Sequence, residues 1–414
     1  MTTTDSPPLA RSTLALLTDR TFGPYFFGNL ASNIGTWFQQ VTAAVVVFEL
    51  TGSALVVGLV AVLQFLPSLL LAPWSGAAAD RFDRRRLLLV AQTPAALAAA
   101  ALAATTLTVG LDDFPYAWPV LAAAAVIGLA QAFSVPAMQA LVPGLVPEAD
   151  LAQAVALNSV TFNLARAVGP ALGAVTLVAL GPGVAFSVNA ASYLALIAAL
   201  SVIRSRPVAR PARASVWGGF RHLRADPVMG ALLVGVAALG FGADPVITLA
   251  PALADGLLGP AGTAAGRGAL VGGLVSMFGV GAVLAMLAVP ASRDRLGHRG
   301  TAIAGLCVLA AGMISVALAP SPPWAMGAMA IGGFGFLLAV TALTSLMHLR
   351  INEQIRGRMM ALWGIAFLGS RPLAAFLDGL VADAFSPELA AAVAAAVVLG
   401  CGLVVARFVP RGAQ

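Results

Sequence analysis

Four ionisable side chains interrupt long apolar stretches of this chain: Arg166 in NLARAVGPAL, Asp244 in LGFGADPVITLAP, and Arg371 and Asp378 in LGSRPLAAFLDGLV. An ionised group at mid-bilayer costs about 2.5 kcal/mol or more, so such residues face a water-filled cavity or an opposite charge. A carboxylate that alternates between a hydrated and a dry setting changes its proton affinity with conformation, the minimum needed to exchange a proton across a membrane. Asp244 is the candidate carrier, because Pro245 lacks an N–H and disfavours helix at the residue before it, which predicts a break there. A broken helix at membrane depth is tolerated only beside a cavity. Arg166 lies on the order of 22 Å along its helix, too deep to reach the surface, and is read as the charge partner of Asp244 or the anchor for an anionic substrate group. Arg371 and Asp378 stand two turns apart on one face, roughly 10 Å, so each looks to another partner. Asp378 lies close to the end of its stretch and reads as a rim residue. A static ion pair that fixes packing is the competing reading for all four.

A softer polar signal surrounds them. Asn29, Asn33 and Gln40 fall on one helix face, with Trp37 adjoining, and Gln64, Gln131, Asn163 and Asn189 interrupt other apolar runs. These are candidate cavity residues, with interhelical hydrogen bonding as the alternative.

The elements that must carry these residues follow from composition. Of 414 residues, 60% are hydrophobic and 10% charged, too apolar for a water-soluble core. Spans of about 20 apolar residues are predicted at 22–48, 54–78, 87–109, 117–141, 151–179, 183–203, 228–253, 268–290, 301–319, 323–347, 357–382 and 388–408. The polar start leads into an apolar run too long for a signal peptide, so span one is expected to remain in the mature chain. All 23 basic residues are arginine, and twenty fall in the terminal segments and loops on one side of this twelve-span layout. The positive-inside rule makes that side cytoplasmic, with both termini on it. Residues 1–203 form one six-helix half and 228–414 the other. The segment 204–227 between them is a cytoplasmic linker, Arg- and Pro-rich, that becomes amphipathic through Trp217, Phe220 and Leu223. The halves repeat: DRFDRR (80–85) follows span two as DRLGHR (294–299) follows span eight, and 156–172 aligns with 361–377 without a gap, Arg166 over Arg371. A duplicated six-helix unit is the expected design.

Gly76, Asp80, Arg81, Arg84 and Arg85 match the G-x-x-x-D-R-x-G-R-R loop of the major facilitator superfamily, with Asp83 in place of the second glycine. The chain resembles that superfamily over its whole length. The stretches FELTGSALVVGL (48–59), AMQALVPGLVPEADLAQAVALNS (137–159) and NLARAVGPALGA (163–174) look like its drug and siderophore exporters, the branch that includes macrolide-efflux and enterobactin-export proteins. Gly169, Pro170 and Gly173 carry the antiporter motif of span five. The resemblance implies that Asp80 meets the cytoplasmic end of span eleven and holds the outward-facing state, with Arg81 and Arg84 nearby. From their own chemistry, Arg85 and Arg86 are read as topology determinants that meet lipid phosphates. Asp294, Arg295, Gly297 and Arg299 form the equivalent gating loop of the second half. The arginine that proton-coupled members often carry in span four falls near Gly128, which is uncharged here.

The expected function is a secondary active exporter of a small, partly lipophilic compound (a drug, siderophore or secondary metabolite), working by alternating access in a bacterial cytoplasmic membrane and driven by proton antiport. A lipid or lysophospholipid flippase is the alternative transport reading, and a non-transporting receptor or assembly partner the alternative of another class. Protons, the small-molecule substrate and the bilayer are the expected partners. ATP is not, for want of a Walker motif, nor nucleic acid, for want of a basic face interleaved with aromatics. His222, His298 and His348 make no metal or nucleophile constellation, and Cys307 and Cys401 sit apart in apolar runs, so no enzyme, metal or cofactor is expected.

Overall fold

The computed structural model describes residues 11–110, 116–203, 226–351 and 353–410, with the side chains of all but 163, 166, 167, 353–358 and 361. The amphipathic linker expected at 204–227 therefore falls outside the described residues except for its last two. Every predicted span lies on helix, and no strand occurs among the described residues. Span one is Phe22–Thr51, span two Ala54–Leu70 with Ala72–Arg81, span three Arg84–Val109, span four Trp118–Leu141, span five Leu151–Leu180 and span six Pro182–Val202. Span seven is Pro227–Ala243, continued after Asp244 by Pro245–Thr248 and Ala250–Leu258. Spans ten, eleven and twelve are Pro322–Arg350, Glu353–Ala384 and Pro387–Phe408. Among the described residues, eight helices are long and apolar enough to cross a membrane, or nine if the bent pair of span two counts as one.

Spans eight and nine are two helices within Ala264–Ala317 that part, inside the connection the sequence predicts, at a tight kink at Gly297, whose φ of 67° and ψ of 173° a residue with a Cβ rarely adopts. The same register in the first half holds Asp83, and the turn is solved differently there: Asp83 stays extended and its side chain caps span three by accepting from Arg86 N at 2.8 Å. The substituted glycine is thus replaced by a cap. Ser53, Asp226, Thr263 and Ser386 cap their helices in the same manner.

The two DR-loops share a physical task. Arg85 donates through Nε and Nη2 to the carbonyls of Leu200 and Ser201 at the end of span six. Arg299, at the matching position of the second loop, donates through Nε to Val409 O at 2.7 Å and through Nη2 to Ala406 O at 2.6 Å at the end of span twelve. A guanidinium fork placed on orphaned C-terminal carbonyls satisfies them and complements the negative end of the helix dipole. Arg85 therefore acts as a helix cap.

Small residues let the helices approach closely, as expected of membrane packing. Gly128 of span four lies directly on the backbone of span two, where a Cβ would collide with the carbonyl oxygens of Leu63 and Gln64. That contact leaves no room for a side chain at this position.

Candidate functional site

The break predicted at Asp244 is reduced to a one-residue interruption: Asp244 keeps helical φ and ψ of −70° and −41°, its N–H donates to Gly240 O at 3.0 Å, and its carbonyl accepts from Thr248 N at 3.1 Å, so the helix path continues past Pro245. Pro227–Ala243 ends before Asp244, and short helical turns resume at Pro245. Asp244 is 1% exposed and accepts a hydrogen bond from Thr248 Oγ1, one turn on, at 2.6 Å. Its other oxygen stands 4.0 Å from Nε of Arg371 in span eleven, whose side chain is 14% exposed. The guanidinium also lies over the Phe65 ring of span two, 4.0 Å from its centroid, a cation–π contact across the two halves of the chain. Asp378, 3% exposed, interacts electrostatically with Asp244 and is a buried group rather than a rim residue. The charge partner the structure gives Asp244 is thus Arg371. Arg166 lies on the span-five helix, and its side chain is outside the described residues, as is that of Asn163.

Gln40 of span one and Gln64 of span two complete a cavity with Asp244, Arg371, Phe65 and Ile247. It measures about 20 Å³, room for a water molecule rather than for a drug-sized compound. Of the other expected cavity residues, Asn29 and Asn33 belong to a separate polar ladder nearer the arginine-rich face. Asn29 donates to Asn158 Oδ1 at 3.0 Å, Asn33 donates to Asn29 Oδ1 at 3.0 Å, and the buried Tyr25 hydroxyl reaches Asn158 at 3.3 Å. Trp37 packs against Gly169, and Phe38 against Gly173, so the motif glycines of span five seat span one. Pro170 sits between them inside the helix, buried. Gln131 is half-buried on span four beside Tyr193 of span six.

Toward the arginine-poor face the two halves meet tightly. Asp383, at the end of span eleven, accepts from Ala54 N at 2.7 Å, from Leu55 N at 3.3 Å and from the Ser53 hydroxyl, and so caps the start of span two from the other half of the chain. Gly58 lies against the Ala375 carbonyl and Gly379 against the Leu55 backbone, each too close for a Cβ. Gly272 of span eight meets Ala174 of span five in the same way.

Toward the arginine-rich face span two departs. Beyond Leu71 its axis turns by 59°, with Pro67 before the bend and Pro73 just after it, and the Ala72–Arg81 piece packs against span four. Asp80 at its tip is exposed and has no hydrogen bond or ion pair among the described residues. The side chains at the start of span eleven that the resemblance assigns to it lie outside those residues. Arg81 lies 5.9 Å from the Phe82 ring centroid, Arg84 opens span three, and Gly76 has open space where a Cβ would stand. In the second loop, Asp294 pairs with Arg293 at 3.7 Å and Arg295 is exposed. No metal-binding cluster occurs among the described residues.

Sequence reading missed Thr248, Phe65, Asn158 and Asp383. Thr248 had a signal, four residues after Asp244 on the same face. Phe65 and Asp383 had none, because their partners are distant in sequence.

The chain is 27% identical over 373 residues to the multidrug efflux pump Tap of Mycolicibacterium fortuitum, covering 86% of this chain and 88% of that one. It is 28% identical over 370 residues to the enterobactin exporter EntS of Escherichia coli O1:K1, covering 86% and 79%. Among solved structures, a single-residue variant of the nucleoside transporter NupG superposes with a TM-score of 0.77 at 12% identity, over 94% of this chain and 99% of that one. The family profile described as transmembrane secretion effector matches residues 11–413. With a family match over nearly its whole length, the chain belongs to this family of the major facilitator superfamily.

Proposed function

We propose that the protein exports a small, partly lipophilic compound from a bacterial cell by alternating access, in exchange for protons, with Asp244 as the proton-exchanging group and Arg371 as its counter-charge. The observation that carries this reading is the placement of a buried carboxylate just before a proline inside span seven, 4.0 Å from a guanidinium that itself rests on Phe65 of the other half. Protonating Asp244 removes the attraction that holds Arg371 and leaves a buried cation seeking another partner, which biases the packing of spans two, seven and eleven. When the halves part, the carboxylate meets water again and the proton exchanges. The similarity to Tap and EntS supports export of a compound of this class.

The arginine-poor face is taken as the outside, in keeping with the positive-inside rule. The tight seam there, with span two bent by 59° onto span four at the other end, then supports an inward-facing arrangement. Purified protein in proteoliposomes, given ethidium and enterobactin separately and an imposed pH gradient, tests the reading. Accumulation that follows the gradient and collapses with a protonophore supports antiport, and movement indifferent to both overturns it.

A further inference from the structure

Four polar atoms from four helices converge on the cavity without a hydrogen bond: Gln40 Oε1 of span one, Gln64 Nε2 of span two, Asp244 Oδ1 of span seven and Arg371 Nε of span eleven. A buried polar atom without a partner is costly and uncommon in a folded protein, so four around one cavity point to a shared ligand. The 4.0 Å between Arg371 Nε and Asp244 Oδ1 is too long for a direct bond and suits a bridge. Two of the four atoms donate and two accept. A metal cation needs acceptors alone and is opposed by the Arg371 guanidinium and the Gln64 amide, and an anion is opposed by Asp244. Water donates two hydrogen bonds and accepts two, and the cavity of about 20 Å³ holds one.

We infer that a single water is built into this seam, donating to Gln40 Oε1 and Asp244 Oδ1 and accepting from Gln64 Nε2 and Arg371 Nε. Gln40 and Gln64 come from the first six spans, Asp244 and Arg371 from the last six. The site is therefore complete only while the halves are together, and their separation splits it into two pairs. Among the described residues, the charged groups facing Asp244 are Arg371 and Asp378, both of span eleven, and the water links it to Gln40 and Gln64 of the first half. Resting on the reading of Asp244 as carrier, the inference makes Gln40 and Gln64 positioning residues that tell the carboxylate whether the seam is closed.

The test is a structure of the full chain in nanodiscs at a resolution that shows ordered waters, paired with proton release from proteoliposomes. The inference expects a water about 2.6–3.2 Å from at least three of the four atoms. In Gln64→Leu it expects that water to be lost and substrate-driven proton release to fall about tenfold, the scale of one hydrogen bond to a charged group, with folding kept. A direct Arg371–Asp244 bond with no water overturns it, and so does a Gln64→Leu protein that keeps both water and coupling. The two readings fail separately. No water in the wild type with coupling lost in Asp244→Asn sinks the water and spares the carrier, whereas a water with coupling intact in Asp244→Asn sinks the carrier and the positioning role built on it.

Discussion

Replacing Asp383 with alanine removes the acceptor for Ala54 N and Leu55 N and for the Ser53 hydroxyl, together with a negative charge at the positive end of the span-two dipole. Loss of a capping oxygen costs about 1 kcal/mol, and loss of a charge at an exposed helix start up to about 1 kcal/mol more. Because the contact joins the two halves only while their arginine-poor ends are closed, the cost falls on the closed state. One to two kcal/mol changes the closed-to-open ratio roughly 5- to 30-fold. Asp383→Asn keeps an oxygen and loses the charge, so about half the free-energy effect is expected. Val109 and Leu318, exposed at the ends of spans three and nine, accept spin labels as cysteines once Cys307 and Cys401 are replaced by serine. Double electron–electron resonance between these labels reads the separation of the halves on that face. The alanine variant should move population from the short to the long distance, with the asparagine variant between it and wild type. Three superimposable distance distributions from folded protein would refute the gate.

Three other outcomes test the packing and the caps. Gly128→Ala forces a Cβ onto the Leu63 carbonyl oxygen and should cost about 1–3 kcal/mol, read as a lower unfolding temperature in detergent, while Gly128→Arg should yield no folded protein by fluorescence-detected size exclusion. Arg85→Ala and Arg299→Ala each strip two charge-assisted hydrogen bonds from helix-end carbonyls and should each cost about 1–3 kcal/mol; a neutral Arg299→Ala beside a damaging Arg85→Ala would contradict their equivalence. Asp226, which caps span seven, is held below the ordinary aspartate pKa by its hydrogen bonds from the Arg350 guanidinium. A depressed carboxylate stabilises the fold above its unfolded pKa of about 3.9 and loses that contribution as pH falls through the lower folded value. With side chains 41% and 30% exposed the pair is worth less than about 1 kcal/mol. The difference in unfolding temperature between wild type and Arg350→Ala should accordingly be small, present at pH 7 and absent in strong acid.

What sequence could tell depended on whether the cause was local. The interruption at Asp244 was legible because Pro245 lacks an N–H, but Asp244 itself stays helical, held by hydrogen bonds to Gly240 and from Thr248. The duplication was legible in DRFDRR and DRLGHR, and the matching caps made by Arg85 and Arg299 give it a physical cause. Arg371 as the partner of Asp244 was not legible, since 127 positions separate them and one apolar helix face resembles another before packing. Asp383 reads in sequence as an ordinary residue at a span end, and only the approach of span two makes it a cap. Gly128 shows the converse: in sequence it is only an uncharged position, and packing gives it a role as a close contact with the span-two backbone.

The central claim is that Asp244 carries the proton. In proteoliposomes with an imposed pH gradient, Asp244→Asn should bind substrate and equilibrate it down its own gradient, yet fail to accumulate it against one. Gradient-driven accumulation by that variant at the wild-type level would contradict the account.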